Sequence, residues 1–185
     1  MKFCSECGAG VTLKIPDGDA LYRHVCDHCH TIHYQNPKVI VGCIVEWEDR
    51  VLMCKRSIEP RHGLWTLPAG YMENGETTAQ GAARETLEEA NAVVEIGEIY
   101  ALYNVPHINQ VYVLYRAQLL DLNFGPTSES SEVKLCHEAD IPWDHLAFAT
   151  VRNTLQHYYA DRKAGQYQFH VGTIERGVRK GDKPT

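Results

Sequence analysis

Apolar positions along this chain fall into short runs with the period of strands, interrupted by one long stretch with the period of a helix. Val39 to Glu46 (VIVGCIVE) and Arg50 to Lys55 (RVLMCK) read as buried strands joined by a WEDR turn. Trp65 and Leu67 alternate as in a strand, after which Pro68, Gly70, Asn74 and Gly75 break the chain into a loop. Val93 to Tyr103 and Gln110 to Leu119 are again strand-like, and Leu122 to Cys136 reads as a loop followed by a strand. Near the end, Leu146, Phe148, Val151, Leu155 and Tyr158 recur at helical spacing, so a last helix should cover the sheet. The tail past Gly165 alternates as QYQFHVGTI and ends basic, which fits an extra strand or a frayed end.

The helical stretch runs from about Thr78 to Ala90. Its angular sorting puts Ala79, Ala83, Thr86, Leu87 and Ala90 on a packing side and Glu85, Glu88 and Glu89 on another. Like charges three and four apart on a helix repel, so the crowding has no stability rationale of its own. A solvated acidic face is the bland explanation; a hard divalent cation bound by carboxylates together with substrate phosphate is the functional one. Gly81 falls on the same face, where a missing side chain leaves room for a ligand.

Composition narrows the class. With 185 residues, 44% of them hydrophobic, the chain can bury one good core and a small extra module. A formal charge of -6 argues against broad electrostatic binding of nucleic acid and suits a protein that holds cations. No apolar run approaches the roughly 20 residues of a membrane span, and the beginning MKFCSECGAG lacks the apolar centre of a signal peptide, so a soluble cytoplasmic protein is expected. Seven cysteines in such a chain favour thiols and metal ligands over disulfides.

Four of those cysteines form two C-x-x-C pairs, Cys4 with Cys7 and Cys26 with Cys29, separated by 18 residues. Each pair sits in a turn, so four thiolates can converge on one structural Zn²⁺. A redox pair would be single and would open a helix after a strand, which neither does. His24, His28, His30 and His33 crowd the second pair, as competing ligands or as exposed and supporting residues. Val11 to Ile15 and Tyr22 to Val25 read as short strands about the turn PDGD. A module of residues 1–35 is too small to fold on apolar burial alone, so the metal must supply the missing free energy. It carries no basic stripe, which favours a structural or dimer-forming role over nucleic-acid binding. Residues 36–185 then form the main domain, entered through YQNPK, where Pro37 enforces an extended link.

The segment from Gly70 to Ala92 resembles the Nudix box: a Gly, five residues, a Glu, seven residues, then Arg-Glu-apolar-any-Glu-Glu-any-Gly-apolar. Gly70, Glu76, Arg84, Glu85, Glu88 and Glu89 occupy the fixed positions. Thr86 and Ala92 are weak at their apolar slots, and Asn91 stands for the closing Gly, which a left-handed helix end tolerates. The resemblance implies an α+β fold, an α/β/α Nudix sandwich with a mixed sheet, preceded by a zinc ribbon. It also implies hydrolysis of a nucleoside diphosphate linked to a second group X, dependent on Mg²⁺ or Mn²⁺. In that reading Glu85, Glu88, Glu89 and the Gly70 carbonyl hold the metal, Glu76 supports the cluster, and Arg84 neutralises and orients a neighbouring Glu. Glu129 and Glu132, from the loop and strand after the sheet, are candidates to reach the metals or position water; as surface charges they would need no explanation. Arg56 ends the second strand at a corner that faces substrate in the family, His107 is a candidate proton donor in a loop, and Cys43 and Cys54 read as small core residues.

The resemblance extends over nearly the whole chain, through IPDGD, YQNPK, GLWTLPAGYME, SESSEVKL, IPWDHLAF and FHVGTI, to a zinc-ribbon Nudix group with FAD and ADP-ribose pyrophosphatases. NADH pyrophosphatases share the ribbon but carry a Ser-Gln-Pro-Trp-Pro-Phe-Pro motif that is absent here. FAD is therefore expected ahead of ADP-ribose and NADH, with removal of dinucleotide caps from RNA as a further enzymatic reading. A catalytically idle nucleotide sensor is the alternative outside enzymology. Since the box supplies only phosphate and metal chemistry, base recognition is expected from Trp65, Tyr71, Tyr103 or Tyr112, and the family implies a homodimer.

Overall fold

The computed structural model describes residues 1–175, which divide into two compact units, residues 1–37 and the described residues from 38 onward. In the first, β1 (Val11–Lys14), β2 (Arg23–Cys26) and β3 (Ile32–His33) make an antiparallel three-stranded sheet. Register pairs Val11 with Cys26 and Val25 with Ile32, so the second C-x-x-C begins at the end of β2. Asp19 ends the β1 to β2 connection by accepting the amides of Ala20 and Leu21 and pairing with Arg23 at 2.8 Å.

The second unit contains β4 (Lys38–Trp47), β5 (Arg50–Arg56), β6 (Trp65–Thr66), β7 (Ala69–Tyr71), α1 (Thr78–Ala90), β8 (Val94–Val105), β9 (Gln110–Leu119), β10 (Ser130–Cys136), α2 (Ala149–Ala164) and β11 (His170–Thr173). Strand order is β10-β5-β4-β9-β8-β11, with β6 added to β5 and β7 to β4. The sheet is mixed: β4 with β9 and β8 with β11 run parallel, and the other neighbours antiparallel. The tail past Gly165 does form a strand, up to Thr173; its basic end lies outside the described residues.

Period-two alternation sends the central strands to two cores. Val41, Cys43 and Val45 of β4, Leu52 and Cys54 of β5 and Val113, Tyr115 and Ala117 of β9 pack with Ala82 and Ala90 of α1. Ile44, Val51, Met53 and Leu114 point the other way and pack with Val151, Leu155 and Tyr158 of α2. Helices cover both faces, as near-continuous apolar strands require. Leu146 and Phe148, read as the first helical positions, precede the helix.

Local chemistry fixes the ends of α1. Thr77 caps the first turn by accepting the Gln80 amide at 3.2 Å, while the Gln80 side chain accepts the Thr77 amide at 2.8 Å. Asn91 ends the helix at φ 51°, the left-handed conformation expected of it. The register of the buried face differs from the sequence reading: Gly81, Ala82, Glu85, Thr86, Glu89 and Ala90 are buried and Leu87 is half exposed. Two of the carboxylates therefore face the protein. Gly81 does not leave room for a ligand either, since a Cβ there would stand 2.6 Å from the Glu76 carboxylate and 2.8 Å from a Val41 methyl.

Candidate active site

The site begins where β7 crosses β4. Gly42 of β4 lets it do so: a Cβ there would overlap the Pro68 carbonyl and the Ala69 side chain. Gly70 then sits opposite Val41, under the buried face of α1. The Glu85 carboxylate occupies the space of the missing Gly70 side chain, and one turn on, Glu89 accepts the Ala69 amide at 3.0 Å. Glu88 projects toward solvent.

Arg84 compensates this crowding. Its guanidinium grips Glu76 through two nitrogens at 3.0 and 2.8 Å, reaches Glu85 at 2.8 Å and Glu88 at 2.9 Å, and donates to the Tyr71 carbonyl at 3.0 Å. The Arg84 hydrogen bonds, with help from the Glu73 amide, hold the Glu76 carboxyl down to about 2. Glu76 thus stays ionised behind Arg84 and does not line the cavity. Burial pushes the Glu89 carboxyl up to about 8, the Ala69 amide and the Arg56 charge opposing the rise and Glu85 and Glu129 adding to it. Burial likewise raises Glu85.

These groups line a cavity of about 490 Å³, a size that holds a nucleotide-scale ligand. Gly70, Arg84, Glu85, Glu88, Glu89 and Glu129 share it with Ile40, Ile58, Ile108, Leu114 and Phe148. The donor set fits a hard divalent cation: carboxylate oxygens are crowded together, and one carboxyl is buried deeply enough to hold a proton near neutrality until a cation displaces it.

The sequence-predicted residues separate on placement. Arg56, Tyr71, Tyr112 and Glu129 line the cavity. Gln110 links the two tyrosines, donating to the Tyr71 hydroxyl and accepting from that of Tyr112, each at 3.2 Å. Trp65 is only 6% exposed and packs in the α2-side core, with the Lys134 ammonium 4.2 Å from its ring centroid, and Tyr103 is 2% exposed in the same core. Neither lines the cavity, contrary to the expectation for a base-stacking residue. Glu132 also turns away, pairing with Lys55 at 3.7 Å, and His107 is exposed outside the lining. Sequence reasoning missed Ile40, Ile108, Gln110, Phe148 and Thr150, each an ordinary strand, turn or helix-end residue that only the fold brings here.

In the first unit, the sulfurs of Cys4, Cys7, Cys26 and Cys29 lie within 4.8 Å of one another. Sulfurs around one tetrahedral Zn²⁺ stand about 3.8 Å apart. Amide hydrogens already point at two of them, from Glu6 to Cys4 at 3.4 Å and from His28 and Cys29 to Cys26 at 3.4 and 3.3 Å. The Thr31 hydroxyl and amide hold the Cys29 thiol down to about 6. Of the four histidines, His33 approaches Cys4 at 3.3 Å as a neighbour outside the sulfur cluster. The four thiols fit the metal.

Comparisons with known proteins agree with this geometry. A family described as Nudix N-terminal, zinc ribbon, matches residues 2–35, and one described as NUDIX domain matches residues 36–159. An ADP-ribose pyrophosphatase of Methanocaldococcus jannaschii is 33% identical over 102 residues, 55% of this chain and 60% of that protein. A NAD-capped RNA hydrolase of Photobacterium profundum is 35% identical over 95 residues, 50% of this chain but 33% of that protein. The chain thus spans between a third and two thirds of these curated relatives. The crystal structure of a NUDIX hydrolase from Nitrosomonas europaea superposes with a TM-score of 0.93 at 62% identity, covering 95% of this chain and 100% of that one. With a zinc-ribbon module, a mixed sheet between two helices and the Gly70 to Glu89 constellation in one cavity, this chain belongs to the Nudix family.

Proposed function

We propose that this chain is a pyrophosphohydrolase that cleaves a nucleoside diphosphate linked to X, releasing two monophosphates, with FAD and ADP-ribose as leading substrates and AMP as one product. The observation that carries the reading is the cavity in which Glu85, Glu88, Glu89 and Glu129 share a lining with apolar side chains and two tyrosines. Glu85, Glu88, Glu89 and the Gly70 carbonyl would hold Mg²⁺ or Mn²⁺, which when bound neutralises the diphosphate and activates water. Arg84 keeps three carboxylates oriented, and the Ala69 amide fixes Glu89. Glu129, which shares the cavity lining, would accept a proton from water in this reading. Ile40, Ile108 and Leu114, with Tyr71 and Tyr112, offer apolar and aromatic lining for a base.

A bound Zn²⁺ at Cys4, Cys7, Cys26 and Cys29 would fold the first unit. A homodimer in the cytoplasm completes the proposal; sedimentation tests the first part. Among the described residues no helix is long and apolar enough to cross a membrane.

The names of the relatives favour a second reading, hydrolysis of NAD-capped RNA. The test for both is one panel of FAD, ADP-ribose, NADH and NAD-capped RNA, assayed with Mg²⁺ or Mn²⁺ and analysed for the monophosphates released, AMP from the first three and nicotinamide mononucleotide from the capped RNA. FAD or ADP-ribose turning over at least tenfold faster than the others supports the first reading. Preference for capped RNA establishes the second, and turnover of none returns the chain to the class of nucleotide sensors.

A further inference from the structure

Glu85, Glu88 and Glu89 reach the cavity from α1, whereas Glu129 reaches it from the segment that leads into β10. The helix fixes the spacing of the first three by its own geometry. Glu129 has no such frame and must be placed by contacts.

Those contacts begin at the end of α1, where the last carbonyls of a helix lack partners within it. The Gly125 amide donates to the Ala90 carbonyl at 2.9 Å, and the Thr127 hydroxyl to the Glu89 carbonyl at 3.3 Å. Asn91 returns a bond in the other direction, its Nδ2 donating to the Pro126 carbonyl at 3.1 Å. Residues 125–127 are thereby tied to residues 89–91. Within the segment the Thr127 hydroxyl accepts the amides of Glu129 at 3.1 Å and Ser130 at 3.2 Å, and the Thr127 amide donates to the Ser130 carbonyl at 2.9 Å. A turn centred on a hydroxyl in this way fixes its backbone. One hydroxyl therefore joins the backbone of Glu89 to that of Glu129, whose side chains share the cavity. On the β5 side, the Ser57 amide and hydroxyl donate to the Glu129 and Ser128 carbonyls at 2.8 and 2.6 Å. Ser57 fixes the segment to the sheet; the ties of 125–127 fix it to the helix.

Asn91 stands where the box closes on Gly. At φ 51° a glycine would end the helix at least as well. Glycine has no side chain to donate to Pro126, so the departure from the box adds a tie between the helix and the Glu129 segment.

We propose that Thr127 and Asn91 are positioning residues, which latch the segment bearing Glu129 to the end of α1 and so hold its carboxylate in the cavity with Glu85 and Glu89. Neither lines the cavity, so each acts through Glu129. That Glu129 serves hydrolysis rests on the proposed function; the latch does not.

The full chain, with its zinc retained, is measured in two ways: Mn²⁺ binding by calorimetry, which needs no turnover, and kcat and KM on the best substrate of the panel. Glu129→Gln sets the reference, weakening Mn²⁺ by about threefold or more as a nearby charge is lost and lowering kcat by about a hundredfold as a proton acceptor is lost. Thr127→Val keeps the side-chain shape and frees Glu129 to shift, so kcat should fall by about tenfold or more with KM nearly kept, and Mn²⁺ should weaken as in the reference. Thr127→Ser should recover both. Asn91→Gly should melt no lower than the parent yet lose about threefold or more in kcat, and it carries the test if Thr127→Val does not fold. In the Glu129→Gln background neither substitution should lower kcat further.

Parent-level Mn²⁺ affinity and kcat in every folded variant, or equal losses with and without the Glu129 carboxylate, would overturn the latch. Parent-level values in Asn91→Gly alone would remove Asn91 from it. Unchanged Mn²⁺ affinity and kcat in Glu129→Gln would leave no carboxylate to position and overturn it as well. Weakened Mn²⁺ binding of the expected pattern in a chain that hydrolyses nothing in the panel would sink the proposed function and leave the latch standing.

Discussion

A Cβ on Gly70 would collide with Oε2 of Glu85, so the carboxylate of the helix occupies the volume that any other residue on the strand would fill. The Gly at the head of the box and the first Glu of its helical part, fifteen positions apart, are one steric unit. Glycine is thus required here for its missing side chain.

Gly70→Ala should consequently act on chemistry before stability. The displaced atoms belong to the end of a Glu side chain, which can swing, so the melting temperature should change by no more than a few degrees. Displacement of about 1 Å in a reacting group can cost about a hundredfold in rate, and kcat is expected to fall by that order. Steady-state kinetics beside thermal melting checks it; a Gly70→Ala enzyme with undiminished kcat would show that Glu85 takes no part.

Glu89 gives a pH dependence whose sign can be worked out. Its carboxyl ordinarily titrates near 4.5 and burial raises it to about 8 in the folded chain. Between those values the folded state keeps a proton that the unfolded state has released, so stability is complete below the lower value and is lost as pH rises through the upper one. Without added divalent metal, the melting temperature should fall from pH 5 to pH 8. Glu89→Gln should flatten that dependence, match or exceed the parent above pH 8, and lose kcat by about a hundredfold or more. A melting temperature that rises over the same window would contradict the assignment of the buried proton.

The cysteine cluster should contain about one zinc per chain, since four thiolates complete one tetrahedral site. A strong chelator should unfold the first unit, because structural zinc supplies on the order of 10 kcal/mol to modules of this size. Cys26→Ser should abolish the zinc content measured by elemental analysis; zinc retained at the parent level would exclude this cluster as the site.

Placement separates the tyrosines. Tyr71→Ala or Tyr112→Ala removes cavity surface, and a stacking loss of roughly 1 to 3 kcal/mol should raise KM for FAD or ADP-ribose about tenfold while kcat is largely kept. Tyr103→Ala empties the core instead and should cost about 3 to 5 kcal/mol of stability, as aromatic truncations in cores do. Equal effects on FAD and on a small pyrophosphate without an aromatic group would place base recognition elsewhere.

The register of α1 shows where sequence reading stops. Polarity alone puts Leu87 inside and Glu85 and Glu89 outside; Thr86 and Ala90 are buried as that reading expects, but the Ala69 amide and the reach of Arg84 let Glu85 and Glu89 turn inward while Leu87 is left half exposed. A helix carries its periodicity in its own residues; the face it presents depends on what the neighbouring strand offers. Tyr71 and Tyr103 were alike as aromatic candidates beside the box, and only the pairing of Tyr71 opposite Ile40, at the cavity, against the burial of Tyr103 on β8, distinguishes them.

Local rules were sufficient for the strands of β4 and β5, the span and C-cap of α1 and the two cysteine pairs, because each is decided within one element or one turn; the Gly70 to Glu89 spacing was legible through its resemblance to the Nudix box. The cavity was not, because its lining comes from Ile40 on β4, Arg56 on β5, Tyr112 on β9, Glu129 before β10 and Thr150 on α2. Strand register across the sheet and the seat of α2 on its face bring them together, and those depend on side-chain packing between segments more than a hundred residues apart. Chemistry written in consecutive turns is legible in the chain; the surface that chooses a substrate is assembled only by the tertiary structure, since no local interaction records which distant residue will stand opposite.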